Sequence, residues 1–508
     1  MKKPIVIVGA GTVGLMLAHE LVLQQQKVIV IEAGKEMFDF FDKAEYKSIG
    51  KEHSGVQYGR AKGVGGTSNL WGGQLTEFIP ADFEAIASYK QPSWPIDWDV
   101  IQHYYSKVYT KLGFTPAVPF KPQILYSNEK NSLEIFCSRW IPQPNFKMHF
   151  WNTLKKSELV TFYTNSIVKN LEFKDNKCIA IKYLHKNVIH ELTDFEDVIL
   201  ANGSIEIIRL LLYNVKTNKA VPFASNKNIG LYFQDHLNFK IGEVQGASKN
   251  FLNRFSNFFE KQEKLQPKLR ININKKNYAD YLGVCGFFSY ESNVSEHIYV
   301  AKQFAKSILG KTHQKVKFVD LCKMFFKLLP ALPQLFMLVF NYVKNNRIYI
   351  PFNSKIKLII NTQQISIKES NVSIEADNFD NNGLPKVIVN WNIDGREIEG
   401  IKVFCELLRA YLEENKLGIL KYDDWFVKQK VENDKSWINN VTDVYHQAGG
   451  AIMSKTSEEG VVDLNLKVHN TDNLYVCGAC VMPTSSYGNI TLTALALALR
   501  LTDYLKNK

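Results

Sequence analysis

The chain has little of what would make it membrane-spanning, secreted, disulfide-stapled or metal-dependent. Its longest apolar stretch, LLPALPQLFMLVFNYV at 328–343, is broken by Pro330, Pro333, Gln334 and Asn341. It falls short of the roughly 18 uncharged residues that a spanning helix needs. The opening MKKPIVIVGAG runs from two lysines straight into a strand-like segment. It has no apolar core of about 7–15 residues followed by a small-residue cleavage site, so no cleaved leader is expected. Seven cysteines (137, 178, 285, 322, 405, 477 and 480) are odd in number and scattered, which suits a reducing compartment better than a disulfide framework. A cytoplasmic location is the expectation, with the inner face of the membrane as its variant. The eleven histidines include no HExxH and no His/Cys set at ligand spacing, so no metal is expected. Internal repeats and long low-complexity tracts are also missing. So is any nucleic-acid-binding module, which leaves DNA and RNA out as partners.

What is present describes a folded chain of more than one core. Its 508 residues are 45% apolar and 22% charged, a composition of globular proteins, and the length exceeds what one core usually serves. The net charge is +12 and the sequence pI about 9.0, so the surface favours anionic ligands or an acidic membrane face.

Residues 4–34 read as strand, glycine turn, helix, strand: PIVIV, GAGTVG, LMLAHELVLQQQ, KVIVIEAG. In Gly9-x-Gly11-x-x-Gly14 the first glycine makes the tight turn, the second admits a pyrophosphate, and the third packs helix on strand. The helix start offers free N–H groups to phosphate, and Glu32, closing the second strand, can accept from ribose hydroxyls. This is a dinucleotide site; it does not by itself choose FAD over NAD. A second glycine cluster, KGVGGTSNLWGG at 62–73, admits two readings. It is a flexible surface loop with Trp71 as a core anchor, or a backbone surface on which a flat polar ligand lies, glycines 65, 66, 72 and 73 clearing the way.

From 159 to 203, VTFYT, IVKNLEF, CIAIKYL and VIHEL read as a meander that returns through VILANGS to the parallel sheet and then enters an amphipathic helix. That turn would lie near the same cofactor. Residues 246–440, richer in Lys, Asn and aromatics, read as a mixed second domain. Within it, 302–350 surrounds the apolar run 324–340 with lysines. Either this is a helical surface packed on its neighbour, or it is a basic, apolar patch that lies on an anionic membrane. Cys477-x-x-Cys480 sits where a strand ends in a turn, without the helix start that activates a redox dithiol, and reads as packing. Near the carboxy terminus, YHQAGGAIM at 445–453 and a strand–loop–helix over 473–505 bring forward His446 and Asn489. An imidazole and a carboxamide at a helix start can take a proton and orient a hydroxyl; spacing alone favours a structural role for His446 over this one.

GAGTVG with IEAG, VGGTSNLWGG, WPIDWDVIQHYY, VILANGSIEIIRLLL, GLYFQDHL, YHQAGGAIM and GNITLTALALALR follow one another in an order that resembles the glucose-methanol-choline (GMC) flavin oxidoreductases. The resemblance implies an α/β chain. Its Rossmann-like FAD-binding domain is discontinuous (1–90, 155–245 and 440–508), and the inserted α+β substrate domain with a β-sheet occupies 91–154 and 246–439. It implies His446 and Asn489 as catalytic residues. It also implies Gly9, Gly11, Gly14, Glu32, Gly65, Gly66, Thr67, Ser68, Gly72, Val168, Ala201, Gly478 and Thr491 as FAD contacts. The loop 64–73 looks closest to the sugar-oxidising branch, so a sugar or sugar-derived alcohol, anionic or lipid-linked, is the expected substrate. Leu70 stands where pyranose oxidases bond a histidine to the flavin, which implies non-covalent FAD, and Ile490 stands where the family carries a proline. The electron acceptor is left open. The alternatives are a peripheral-membrane flavoprotein dehydrogenase acting on a non-sugar alcohol, and a flavin-binding protein without turnover.

Overall fold

The structure, a computed structural model, describes residues 3–114, 132–261, 263–272, 280–292, 300–301, 304, 318–351, 353–429 and 434–508. The first strand, β1 (Ile5–Val8), is apolar at all four positions and buried at all four, as a strand covered on both faces must be. It is the centre of a five-stranded parallel sheet. β2 (Val28–Ile31) and β3 (Val160–Tyr163) continue the sheet on one side, and β4 (Val198–Leu200) and β5 (Leu474–Val476) on the other. Helix α1 (Thr12–Leu23) crosses from β1 to β2, α2 (Ser204–Thr217) follows β4, and α3 (Ile490–Asn507) follows β5 and packs on α1. All three helix starts therefore stand at the carboxyl ends of adjacent strands, where a doubly wound sheet binds ligands.

The meander differs from its sequence reading at its first strand. Val160–Tyr163 is the edge of the parallel sheet beside β2. The antiparallel trio is Ser166–Lys174, Lys177–His185 and Val188–Leu192. Tyr163 and Ser166 are separated by a left-handed Asn165, and this bend redirects the chain from one sheet to the other.

A large antiparallel sheet forms the second layer. Its strands run in the order Ile419–Tyr422, Leu237–Gln245, Lys355–Thr362, Val284–Glu291, Glu263–Ile271, Leu133–Trp140 and Gln74–Leu75, with Phe258–Glu260 paired to Glu263–Leu265. Leu237–Gln245 and Gln74–Leu75 fall inside segments assigned above to the FAD-binding part, yet both pair in this sheet. A strand ladder extends wherever a neighbour offers free N–H and C=O groups, and such pairing leaves no trace in one segment's composition. Tyr46–Gly50 likewise pairs in parallel with Pro385–Trp391. The two layers thus share one continuous hydrophobic core.

The apolar run near 330 forms two helices, Phe318–Leu328 and Leu332–Asn345, sharply bent at a turn containing Pro330. Of the lysine-rich segment 302–350, residues 302–303, 305–317 and 352 lie outside the described residues. No single helix among the described residues is long and apolar enough to cross a membrane.

Candidate active site

A groove opens at the carboxyl ends of β1, β2, β4 and β5. Gly9, Gly11, Glu32, Gly66, Thr67, Val168, Ala201, Gly478 and Thr491 line it, together with Arg60, Asn202, Tyr445, Gln447 and Cys477. Nine of the thirteen residues expected to touch FAD are therefore brought together; Gly14, Gly65, Ser68 and Gly72 are not on this lining. Gly14 has the packing role read from its spacing, since a Cβ there would stand 1.9 Å from the Gly9 carbonyl oxygen. Ser68 is turned inward, donating to the Gly65 carbonyl at 2.6 Å and accepting from the Phe146 N–H at 3.0 Å. The Gly65 N–H donates to the Ala10 carbonyl at 2.8 Å, so it fastens one glycine loop to the other. Gly72 is exposed.

Glu32 is more heavily engaged than expected. Oε1 accepts from the N–H groups of Gly34 (2.7 Å) and Gly63 (2.8 Å), and Oε2 from Ala10 (2.7 Å). A carboxylate offers about four acceptor positions, so one remains on Oε2 for a ribose hydroxyl. The site has the donors a dinucleotide requires. The first turn of α1 is uncapped by any side chain, and its N–H groups face the groove. Arg60 donates to Glu206 Oε1 at 3.0 Å and to the Val56 carbonyl, while among the described residues its buried Nη2 has no hydrogen-bond partner, and the buried Asn202 Oδ1 has none either. Orphaned polar atoms at a groove wall fit a polar ligand, and the arrangement accepts FAD. Arg60 was not foreseen, since an isolated arginine 28 residues after Glu32 carries no motif.

His446 and Asn489 meet beyond the groove. His446 Nε2 lies 3.3 Å from Asn489 Nδ2, and Thr76 Oγ1 donates to Asn489 Oδ1 at 2.9 Å, which turns the amide N–H₂ toward the imidazole. Asn489 is the residue before α3, in extended conformation, and Ile490 begins the helix. The first helical position tolerates proline but does not need it, so isoleucine leaves this geometry intact.

His236 was overlooked in the sequence, where GLYFQDHL served only to mark a family. Gln234 and Ala448 exchange backbone hydrogen bonds at 2.9 Å, and this bridge sets His236 beside His446 with the two Nδ1 atoms 3.2 Å apart. His236 Nε2 reaches the Ser485 carbonyl at 3.2 Å. A carbonyl only accepts, so Nε2 carries the proton. Burial, reinforced by His446, pushes the His236 pKa down to about 3, so the ring is neutral and its Nδ1 is an acceptor. His446 must then donate from Nδ1, which leaves a lone pair on Nε2, facing Asn489.

Below this pair, Asp235 accepts from the His446 N–H (3.0 Å), the His236 N–H (2.7 Å) and His53 Nε2 (3.0 Å). Asp443 accepts from Ser54 and Gly55 N–H, both at 2.7 Å. His53, Asp235 and Asp443 are close enough together to suggest metal ligands; backbone N–H groups donate to both carboxylates, and the cluster works as a clamp that fixes the His446 loop. Tyr445 and Ser486, at the edges of the site, hold left-handed backbone conformations, which such a clamp sustains. His446 itself has its pKa lowered, first by burial, with Lys268 adding and Asp235 opposing. The base form therefore persists below the usual imidazole range near 6.5. The expected pH profile of kcat/KM has its acid limb below that value. A limb at or above 6.5 would remove His446 as the titrating group.

Cys477 and Cys480 are fully buried, and burial raises both thiol pKa values, that of Cys480 to about 12. Thiols so held stay protonated and inert.

Comparison with known proteins fits this geometry. A family model described as GMC oxidoreductase matches residues 368–498, a span that includes His446 and Asn489. The chain is 21% identical to the oxygen-dependent choline dehydrogenase of Staphylococcus haemolyticus, over 99% of the chain and 93% of that protein. It is 24% identical to the fructose dehydrogenase large subunit of Gluconobacter japonicus over 23% of the chain, spanning only 30% of that relative. Among solved structures it is similar to pyridoxine 4-oxidase from Mesorbium loti (TM-score 0.59, 15% identity, all of both chains). It is also similar to an FAD-dependent oxidoreductase from Chaetomium thermophilum (TM-score 0.57, 15% identity, all of this chain and 99% of that one). These likenesses establish the fold.

Proposed function

From a chain that belongs to the GMC oxidoreductases, and so takes FAD as its cofactor, we propose oxidation of an alcohol group with His446 as the proton acceptor. The observation that carries this reading is the 3.3 Å approach of His446 Nε2 and Asn489 Nδ2 at the foot of α3, whose Ile490 and Thr491 line the cofactor groove. A hydroxyl oxygen between the two nitrogens would give its proton to Nε2 and accept from the amide, gaining hydrogen-bond support as alkoxide character develops. His236 keeps the proton of His446 on Nδ1, so that Nε2 is always the basic nitrogen. Thr76 prevents Asn489 from presenting its carbonyl oxygen. Bound FAD supplies the acceptor for the carbinol hydrogen as hydride. Gly9, Gly11, Gly66, Glu32, Arg60 and the first turns of α1 and α3 would hold it. Leu70 offers no nucleophile, which supports non-covalent binding.

The segment next to Asn489 is polar: Gln74 links Gln266 and Ser138, and Thr76 follows and holds Asn489. Those polar groups beside Asn489 support a polyhydroxylated substrate, a sugar or sugar derivative. Anaerobic mixing with a panel of sugars and other alcohols should bleach the flavin bands with a member of the panel, and air should restore them if oxygen is the acceptor. Bleaching by simple non-sugar alcohols alone would replace the sugar reading with the non-sugar alternative; an intact flavin unreduced by every alcohol would leave a binding protein without turnover.

The proposal extends to an anionic membrane surface. The two helices over 318–345 expose Phe326 (67%), Phe336 (67%) and Val343 (73%), with Phe325, Leu332, Val339 and Phe340 around them. Among the described residues, Phe304 is the ring that meets this face, against Phe325. Lys323, Lys327 and Lys344 stand among these side chains, with Asp320 as the acid. Exposed aromatics interspersed with cations suit an acidic lipid headgroup layer. Tyr342 against Phe259, and Arg347 on Ser256, tie the helices to the large sheet. The protein should float with phosphatidylserine vesicles, and retain part of that binding at high salt. Phe326→Glu with Phe336→Glu should abolish flotation; no binding at low salt would remove the membrane contact.

A further inference from the structure

Side chains alternate along a strand, so Glu263–Ile271 has two different faces. Leu265, Leu269 and Ile271 enter the core, while Gln266, Lys268 and Arg270 point the other way, toward Asn489. Both flanking residues are anchored there. Gln266 accepts from Gln74 at 2.7 Å, two residues before the threonine that holds Asn489. Arg270 donates to the Tyr487 hydroxyl at 3.2 Å, two residues before Asn489 itself. Lys268 lies between them, opposite Phe136 on the neighbouring strand.

The charges on this face do not balance. Arg270 is neutralised by Glu134 at 2.8 Å. Lys268 is 4% exposed, and its ammonium has no hydrogen bond or ion pair among the described residues; Phe287, 5.2 Å from the nitrogen, offers only its ring. A lysine is rarely buried without a partner. Burial lowers the Lys268 pKa, with the Cys285 thiol the one opposing influence. The ammonium also lowers the pKa of both His446 and His236, so its charge is felt at both rings. Among the described residues, this face therefore holds an unpaired cation, on a strand whose Gln266 and Arg270 are tied to the segments on either side of Asn489.

We propose that Lys268 is the anion anchor of the substrate pocket: the alcohol oxidised by this chain carries a carboxylate or phosphate group that pairs with Lys268 while its hydroxyl reaches His446 and Asn489. This inference rests on the function proposed above and names the substrate class. A bound anion supplies the missing counter-charge, and a neutral alcohol leaves the ammonium bare, so the pocket discriminates by charge.

The test is titration calorimetry of the FAD-loaded protein with inorganic phosphate and, separately, with acetate. Loaded protein keeps phosphate from the dinucleotide groove, and the tighter of the two probes distinguishes phosphate from carboxylate. Wild type should show saturable binding that weakens tenfold or more in Lys268→Met, a change of similar volume without the charge, and survives in Lys268→Arg. The bound anion should also raise the melting temperature of wild type and leave that of Lys268→Met unchanged. Equal binding by wild type and Lys268→Met, or no saturable binding of either anion by wild type, would overturn the proposal. The readout needs no turnover. Failure here leaves the alcohol-oxidising reading standing, and a flavin that no alcohol reduces would defeat that reading even with anion binding intact.

Discussion

Replacing His446 by alanine lowers the rate of flavin reduction by about 10²–10⁴-fold while the protein keeps its bound FAD. The magnitude is that of a positioned general base. The retention follows from the map of the groove: His446 is not on its lining, whereas Gln447 and Tyr445 are. The proton must leave the hydroxyl as the hydride departs, and the lone pair on His446 Nε2 is aimed at that position by His236 and Asp235. His236→Leu should show a smaller loss in kcat than His446→Ala, because the base remains but its tautomer is no longer fixed. Undiminished reduction in His446→Ala would remove the base assignment; loss of FAD would show instead that the substitution had disturbed the groove.

Gly66→Ala should yield a colourless protein. Gly66 has φ +50°, and a Cβ there would stand 2.8 Å from the Gly11 Cα, a distance that forces the two glycine loops apart. Both loops line the groove, and the N–H groups at the start of α1 act only if a phosphate can approach the backbone. A separation of even half an ångström weakens several hydrogen bonds at once. The expected result is loss of FAD after desalting, with far-ultraviolet circular dichroism unchanged. Gly72→Ala is the control, since Gly72 is exposed and nothing lies nearer than 3.8 Å to its Cβ position. A Gly66→Ala protein as yellow as wild type would contradict the placement of the cofactor between these loops.

The local parts of this site were legible in the sequence because they are written in consecutive residues. Gly9 to Glu32 form one βαβ unit whose spacing is set by a strand, a helix turn and a second strand, and the structure has that unit with the helix ended at Leu23. Residues brought together by tertiary pairing were not legible. His236 meets His446 through a two-residue backbone bridge, and His53, Asp235 and Asp443 come from three distant segments. Lys268 differs again: its periodicity marks a strand with one polar face, but that its charge lacks a partner among the described residues is seen only once its spatial neighbours are known. Val160–Tyr163 joined the parallel sheet because its partner β2 had a free edge, a fact that no propensity records.

The account turns on whether this groove holds FAD without a covalent bond. The most direct measurement is the absorption spectrum of the purified protein from about 300 to 600 nm, repeated on supernatant and pellet after acid precipitation. The account predicts two flavin bands and their full release into the supernatant. Colour retained in the pellet would contradict non-covalent binding, and a colourless protein that takes up no added FAD would contradict the site itself.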